Sequence, residues 1–332
     1  MSALYVFFFH FASDNHDDLN KKTRGYALQG YDLECLSNIL GESEQNYSNH
    51  HIVSTAGIIL LEYRSSYFSY IRKYLGYKNS DFISSISDQL KQSYTQAKVI
   101  QNESNNSMII FTSDKKFVIK TISSEEKNIF FRFLLQSYYK RVLEYPNSKL
   151  IRILGIFKLL SSKITFIVME NSNPFDKPFL VFDLKGSSID RLVKTEQDCE
   201  SIVLKDENLV QMGKKVKLSS DEVSELMWTV RYDMGILRDI GIMDYSLLLI
   251  AGKNSGVASR YSISKDYTVA IIDIFQVYDT RKVLERWFKT CFRRADRNKL
   301  SAVSPAEYYR RILRFLQGIF TQGDEHDLSG ML

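Results

Sequence analysis

The sequence predicts an α+β chain in which an antiparallel sheet comes first and a larger mixed α/β region follows. Three observations carry this. Short β-rich runs cluster between residues 107 and 170, Pro174 and Pro178 stiffen a connector after them, and one long amphipathic helix beyond it leads into two apolar strand-like runs. At 332 residues, 44% hydrophobic and 13% aromatic, the chain can bury a full core and is expected to form one or two domains.

Taken in order, residues 1–50 are polar and irregular after the first dozen and hold no motif, so they read as an N-terminal extension of unknown role. From Tyr63, "YRSSYFSYIRKYL" sets Tyr67, Phe68, Ile71, Tyr74 and Leu75 at helical spacing. The stretch "SMIIFTSDKKFVIKTI" (107–122) places two β-rich runs around Ser113-Asp114-Lys115 and reads as a hairpin, with Lys120 in its second run. A mainly helical stretch follows over about 125–146, and Pro146 closes it. The strands "IRILGIFKLL" and "KITFIVME" then complete the antiparallel sheet.

Two of the four prolines stand in "NSNPFDKPF". Proline fixes φ and disfavours helix before it, so the domain boundary is expected here, dividing 51–172 from 173–332. In "SSDEVSELMWTVRYDMGILRDIG", Ser219 or Ser220 is the N-cap, Asp221 and Glu222 occupy the first turn, and apolar residues fall at 223, 226, 227, 230, 234 and 237 before Gly241 ends the pattern. The apolar runs 245–251 and 267–272, joined by a Gly/Ser-containing loop, read as neighbouring antiparallel strands.

Composition narrows the function. Cys35, Cys199 and Cys291 lie far apart with no paired spacing for zinc or redox work, which fits a reducing compartment. The apolar stretches "SALYVFFFHFA" and "STAGIILL" fall short of the ~20 residues that span a bilayer, so no spanning helix is expected. The first stretch also lacks the basic residues that precede a secretory signal core. Net charge is +5, but Arg281 to Lys299 alone carry eight Lys or Arg against Glu285 and Asp296. A local basic patch points to a polyanionic partner.

Two constellations carry chemistry. In "VFDLKGSSIDR" (181–191) an apolar strand runs into Asp183, Lys185, Gly186 and two serines, and a lysine with backbone donors at a strand end favours an anion such as phosphate. Antiparallel pairing of 245–251 with 267–272 brings Asp244 and Asp273 to one end, roughly 5–10 Å apart given an inter-strand spacing of about 5 Å. Two carboxylates that close repel unless a cation or proton lies between them; two solvated turn aspartates are the plainer reading. Phosphoryl transfer uses a strand lysine for nucleotide phosphates, an aspartate beside the attacking hydroxyl and another on Mg2+. Lys120, Asp244 and Asp273 stand in the chain order of protein kinases, although HRD, DFG and APE are all missing.

The motifs "TSDKKFVIKTIS", "PNSKLIRILGIF", "FDLKGSSIDR", "VLKDENL", "GIMDYSLLL", "AIIDIFQVYDTRK" and "VSPAEYYRRILRF", in this order, resemble the phosphatidylinositol phosphate kinases, from about Leu61 to about Phe320. The resemblance implies a two-lobed lipid-kinase fold, with an antiparallel-sheet N-lobe, a mixed α/β C-lobe and the ATP site between them. It also implies an ATP- and Mg2+-dependent phosphotransferase that converts phosphatidylinositol 4-phosphate to the 4,5-bisphosphate. Lys120 would grip the ATP phosphates, with Ser107 and Glu170 also at the nucleotide. Asp273 would hold Mg2+, and Asp244 would orient or deprotonate the inositol hydroxyl. Lys185 would lie near the transferring phosphate, with Asp183 and Arg191 supporting its turn. Glu125 and Glu126 are both candidates to pair with Lys120. The phosphate-covering loop "VIQNESNNSMIIF" departs from the family in having no glycine, and Glu103 in it would repel polyphosphate. A catalytically weak phosphoinositide-binding relative and a 3-phosphate 5-kinase are the alternatives.

The basic run lies where kinases carry an activation segment, expected at about 274–302. Val283, Leu284, Trp287, Phe288, Cys291 and Phe292 form one helical stripe, flanked by Arg286, Lys289, Arg293 and Arg294, with Arg281 and Lys282 before it. Aromatics on one side and cations on the other suit an anionic phosphoinositide membrane, each cation contributing about 1 kcal/mol. A core helix is the competing reading. Nucleic acid is not expected, because nothing else in the chain interleaves stacking aromatics with charge. Peripheral association with the cytosolic face follows from the resemblance, which also leaves a homodimer open.

Overall fold

The computed structural model describes residues 5–7, 50–55, 58–95, 99–102, 107–162, 164–175, 178–194, 203–253, 259–277 and 304–323. It is α+β, in two compact units. One unit takes its described residues from 5–123 and 153–170, the other from 124–152 and 171–323.

The first unit is built on an eight-stranded sheet. Its strands are β1 (Tyr5–Phe7), β2 (His51–Thr55), β3 (Ile58–Glu62), β4 (Val99–Asn102), β5 (Ser107–Phe111), β6 (Phe117–Thr121), β7 (Ile153–Leu159) and β8 (Thr165–Glu170), in the order β1-β4-β5-β6-β8-β7-β3-β2. Every pairing is antiparallel. The hairpin predicted at 107–122 is β5–β6, and Lys115 takes the left-handed φ of 56° that its tight turn needs. Helices α1 (Ser65–Tyr74) and α2 (Asn79–Thr95) belong to this unit. The α1 stripe buries Phe68 and Ile71, while Tyr74 stays exposed. A buried ion pair ties β3 to α1: Arg72 Nη1 lies 2.5 Å from Glu62 Oε1 and also donates to the Leu154 carbonyl at 2.6 Å.

The second unit opens with the helical stretch expected after residue 124, which the sequence places on the N-terminal side of the boundary but which groups with residues 171–323. It consists of α3 (Ser124–Ile129), a π-helical turn (Phe130–Leu134) and α4 (Leu135–Glu144). A four-stranded sheet follows, made of β9 (Pro178–Leu184), β10 (Val203–Lys205), β12 (Ser246–Gly252) and β13 (Tyr267–Ile272) in the order β10-β9-β12-β13. Only β10–β9 is parallel. Pro178 opens β9, a position where a missing N–H costs the ladder nothing. Between β10 and β12 lie α5 (Asp206–Gln211), β11 (Val216–Leu218) and α6 (Ser220–Asp239); α7 (Pro305–Ile319) and β14 (Phe320–Gln322), which pairs with β11, close the unit.

Helix α6 shows why its sequence signal is strong. Ser219 and Glu222 form a reciprocal capping box, and Leu226, Val230, Met234 and Leu237 are buried. The stripe also carries a charge. Asp233, wholly buried, accepts from Arg141 Nε at 2.6 Å, Ser148 Oγ at 3.1 Å and Lys149 N–H at 2.6 Å, joining α6 to the end of α4.

Candidate active site

Strand β9 delivers the first group of side chains. Its C-terminal end is fixed from both sides, with Asp183 opposite Lys205 of β10 and Leu184 opposite Leu247 of β12. The chain then turns at Gly186, whose φ of 65° is open to glycine at little cost. A second reason requires glycine there: a Cβ would stand 2.8 Å from Ile312 Cα of α7. The turn closes on Asp206, the first residue of α5, which is wholly buried. Asp206 Oδ1 accepts the Lys185 N–H at 3.0 Å and the Gly186 N–H at 2.6 Å, and its Oδ2 accepts Arg191 Nε at 2.6 Å. Arg191 Nη2 also donates to the Asp183 carbonyl and, at 3.2 Å, to Asp183 Oδ1. Burial works to lower the Arg191 pKa, but the Asp183 and Asp206 carboxylates more than reverse this and raise it. For two of the backbone donors that the sequence offers to a phosphate the structure gives another partner: the Lys185 and Gly186 N–H groups are occupied by an internal carboxylate.

The β12–β13 pair delivers the acids. Register runs from Ser246 opposite Ile272 to Ala251 opposite Tyr267, so Asp244, two residues before β12, and Asp273, one residue after β13, leave the pair at the same end. Both aspartates adopt left-handed backbone conformations, φ 63° at Asp244 and 59° at Asp273. Non-glycine residues rarely do so, and such positions gather at functional sites. Below them the Met243 N–H donates to the Gln276 carbonyl at 2.9 Å. Lys185 Nζ lies 3.1 Å from Asp244 Oδ1, with the two side chains 19% and 40% exposed, so the DLKG and MDYS segments meet through an ion pair open to solvent. Behind Asp244, the buried Tyr308 hydroxyl of α7 donates to the Tyr245 carbonyl, and the two rings meet edge to face at 4.9 Å. Burial, with the Asp244 charge second, raises the Tyr308 pKa well above its ordinary value, so the phenol stays a donor.

The nucleotide candidates lie in the first unit. Lys120 is on β6, opposite Ile109 of β5 and Ile167 of β8. Ser107 opens β5, opposite Asn102. Glu170 ends β8 opposite Phe117, and alternation along β6 sets Phe117 and Glu170 on the face away from Lys120. There Glu170 Oε1 accepts from the Tyr77 hydroxyl at 2.6 Å, and Tyr77 and Phe82 pack edge-on against Phe117. Glu125 and Glu126 stand in the first turn of α3, in the other unit. Glu103, Arg281, Lys282, Arg286, Trp287, Phe288, Lys289, Arg293 and Arg294 lie outside the described residues.

Thus the structure brings Lys185, Asp244, Asp183 and Arg191 together at one sheet end, with Asp273 one residue past the adjoining strand β13. Sequence reasoning missed Asp206 and Tyr308. Both stand in quoted motifs, "VLKDENL" and "VSPAEYYRRILRF", but no local spacing reveals partners 21 and 63 residues away.

A lysine and two aspartates converging at strand ends form the kind of arrangement that phosphoryl-transfer proteins use. Residues 90–266 and 251–319 match the protein family described as phosphatidylinositol-4-phosphate 5-kinase. The chain belongs to that family. It is 24% identical over 314 residues to a Plasmodium falciparum phosphatidylinositol 4-phosphate 5-kinase, covering 78% of this chain and 18% of the relative. A probable phosphatidylinositol phosphate kinase of Dictyostelium discoideum is 24% identical over 348 residues, covering 80% and 48%. A Gallus gallus type-1 beta phosphatidylinositol 4-phosphate 5-kinase is 31% identical over 199 residues, covering 58% and 36%. The chain therefore spans less than half the length of each of these relatives. Among the described residues no helix is long and apolar enough to cross a membrane.

Proposed function

We propose that this chain is a two-lobed, ATP-dependent phosphatidylinositol phosphate kinase that converts phosphatidylinositol 4-phosphate to the 4,5-bisphosphate at a cytosolic membrane surface. Family membership and the names of the relatives support the class. The observation that carries the site is the Lys185–Asp244 ion pair at the strand end shared with Asp273, where both aspartates hold left-handed backbones.

In this reading Asp244 accepts a hydrogen bond from the inositol 5-hydroxyl and takes its proton as that oxygen bonds to the γ-phosphorus. The bond from the γ-phosphorus to the β-phosphate oxygen breaks, and ADP leaves. Lys185 faces the charge gathering on the transferred group. Lys120 holds the nucleotide phosphates, with Ser107 assigned to the same nucleotide; Glu170, on the opposite face of the sheet and bonded to Tyr77, is left out of that role. The acids fit a magnesium site: Asp273 is half-buried just past a strand end, and Mg2+ takes one or two protein carboxylates beside substrate phosphates. Asp273 would hold the ion, which when bound neutralises charge on the phosphates. The basic stripe about Arg281, Lys282, Arg286, Trp287, Phe288, Lys289, Arg293 and Arg294 is proposed to dock the anionic membrane.

The test is transfer of label from ATP to lipid on vesicles containing phosphatidylinositol 4-phosphate. Asp244→Asn is expected to lower turnover by about 10²–10⁴-fold, and Asp273→Asn to abolish the Mg2+-dependent part. Vesicle binding by the unmodified chain without lipid labelling would overturn the proposal.

A further inference from the structure

We infer that Asp206 is a positioning residue for Lys185: its buried carboxylate fixes the turn from which the Lys185 ammonium reaches Asp244. The inference rests on the phosphoryl-transfer reading above and goes beyond it, because Asp206 touches no reacting group.

The geometry leaves this carboxylate one way to be satisfied. A buried carboxylate is costly unless paired and hydrogen-bonded. Asp206 meets that demand with both oxygens: Oδ1 accepts the Lys185 and Gly186 N–H groups, and Oδ2 accepts Arg191 Nε at 2.6 Å and, more distantly at 3.3 Å, the Lys185 N–H as well. Successive N–H groups can aim at a single oxygen only in a tight concave turn, and Gly186 supplies it with φ 65°. The Cα–Cβ direction of Lys185 is thereby set from behind, while α7 approaches the other side of the turn at Gly186. Arg191 locks the arrangement by bonding Asp206 and the Asp183 carbonyl together. With its N–H groups turned inward, the Lys185–Gly186 step offers an external phosphate chiefly one donor, Lys185 Nζ, held 3.1 Å from Asp244.

Asparagine cannot reproduce this. Whichever way its amide is turned, the NH2 faces either the two N–H groups or the guanidinium, donor against donor. Asp206→Asn in the full chain is therefore expected to lower kcat on phosphatidylinositol 4-phosphate vesicles about tenfold with the ATP KM within about twofold. The deciding readout is a cycle with Lys185→Ala, or Lys185→Arg where the alanine enzyme is too slow to read. If Asp206 acts through Lys185, adding Asp206→Asn to that background produces no further fall. Losses that multiply would mark a merely structural role and overturn the inference, as would a single variant with unmodified kcat. Where Asp206→Asn fails to fold, Arg191→Lys carries the same cycle: the loss of its forked contact is expected to cost about threefold, absent without Lys185. No turnover by the unmodified chain sinks the proposed function instead, so the two failures are distinct.

Discussion

Replacing Gly186 by alanine tests the turn on which the candidate site stands. Two costs apply. An L-residue in the left-handed region loses about 1–2 kcal/mol, and Gly186 has φ 65°. The new Cβ would also lie 2.8 Å from Ile312 Cα, 3.1 Å from Ile312 N and 3.2 Å from the Arg311 carbonyl oxygen. All three are backbone atoms of α7, so no rotamer change can relieve the contact. Carbon atoms rest at about 3.5–4.0 Å, so the helix or the turn has to retreat by roughly 1 Å. Retreat stretches the 2.6 Å bond from Gly186 N–H to Asp206. Overpacking of this kind costs about 1–3 kcal/mol, giving about 2–5 kcal/mol in total. Gly213 is the internal control: its φ is 63°, yet nothing lies within 4 Å of its Cβ position, so Gly213→Ala reads the backbone cost alone. Equilibrium urea unfolding of both variants, followed by circular dichroism, measures the difference. Equal destabilisation of the two would refute the close approach of α7 to the DLKG turn, and with it the account of why glycine stands there.

Three further perturbations probe the surrounding frame. Burial holds the Lys149 ammonium at about 8, below the ordinary 10.5, while its Nζ donates to the Arg260 and Ser262 carbonyls at 3.0 Å each. Between those two pH values the unfolded chain binds a proton that the native chain lacks, so stability is expected to rise with pH across this window, by about 3 kcal/mol at most. Lys149→Met should flatten that rise in unfolding experiments from pH 7 to 11, and an unchanged slope would exclude Lys149 as its source. Tyr308→Phe removes the donor to the Tyr245 carbonyl, leaving a buried acceptor unmet at a cost of about 1–3 kcal/mol; kcat on vesicles should drop with lipid KM little changed, and unmodified kcat would show that α7 does not hold the Asp244 turn. Asp233→Ala strands the buried Arg141 guanidinium and should destabilise by about 3–5 kcal/mol in thermal or urea unfolding, whereas a loss under 1 kcal/mol would mean water reaches that pair.

Much of the scaffold was legible because its signals are local. The 107–122 hairpin declared itself through two β-rich runs around a turn tripeptide, and α6 through an N-cap serine, acids in the first turn and a 3.6-residue stripe. Strand length alone was enough to bring Asp244 and Asp273 to one end of β12–β13. What stayed hidden depends on partners remote in sequence. Asp206 looks like an ordinary acid at a helix start, and only the parallel pairing of β10 with β9 carries it to the Lys185 turn. Asp233 occupies a buried face where an acid is anomalous until Arg141, 92 residues earlier, comes to meet it. Glu170 illustrates the same limit at finer scale. Its place beside Phe117 rather than beside Lys120 follows from inter-strand register, which hydrophobic pattern alone did not specify.

Register also explains why strained backbones collect where they do. Asp190, Asp244 and Asp273 all hold positive φ, and all three follow or precede strands of the four-stranded sheet or the turn leaving it. A left-handed aspartate persists only when its surroundings over-determine it. At Asp244 the determinants are countable: the Met243 N–H on the Gln276 carbonyl, the Tyr308 hydroxyl on the Tyr245 carbonyl, and the Lys185 ammonium on the carboxylate itself. Two of these act on backbone groups one residue to either side, so they set the direction of the side chain without occupying it. Among the described residues Lys185 alone bonds the carboxylate, and Lys185 is itself fixed through the backbone, by Asp206. Each of the two side chains that meet substrate in the proposed reaction is thus aimed by main-chain hydrogen bonds and left with its functional group at a solvent-accessible strand end. That division lets a ligand replace the Lys185–Asp244 contact without loosening the frame that holds either residue.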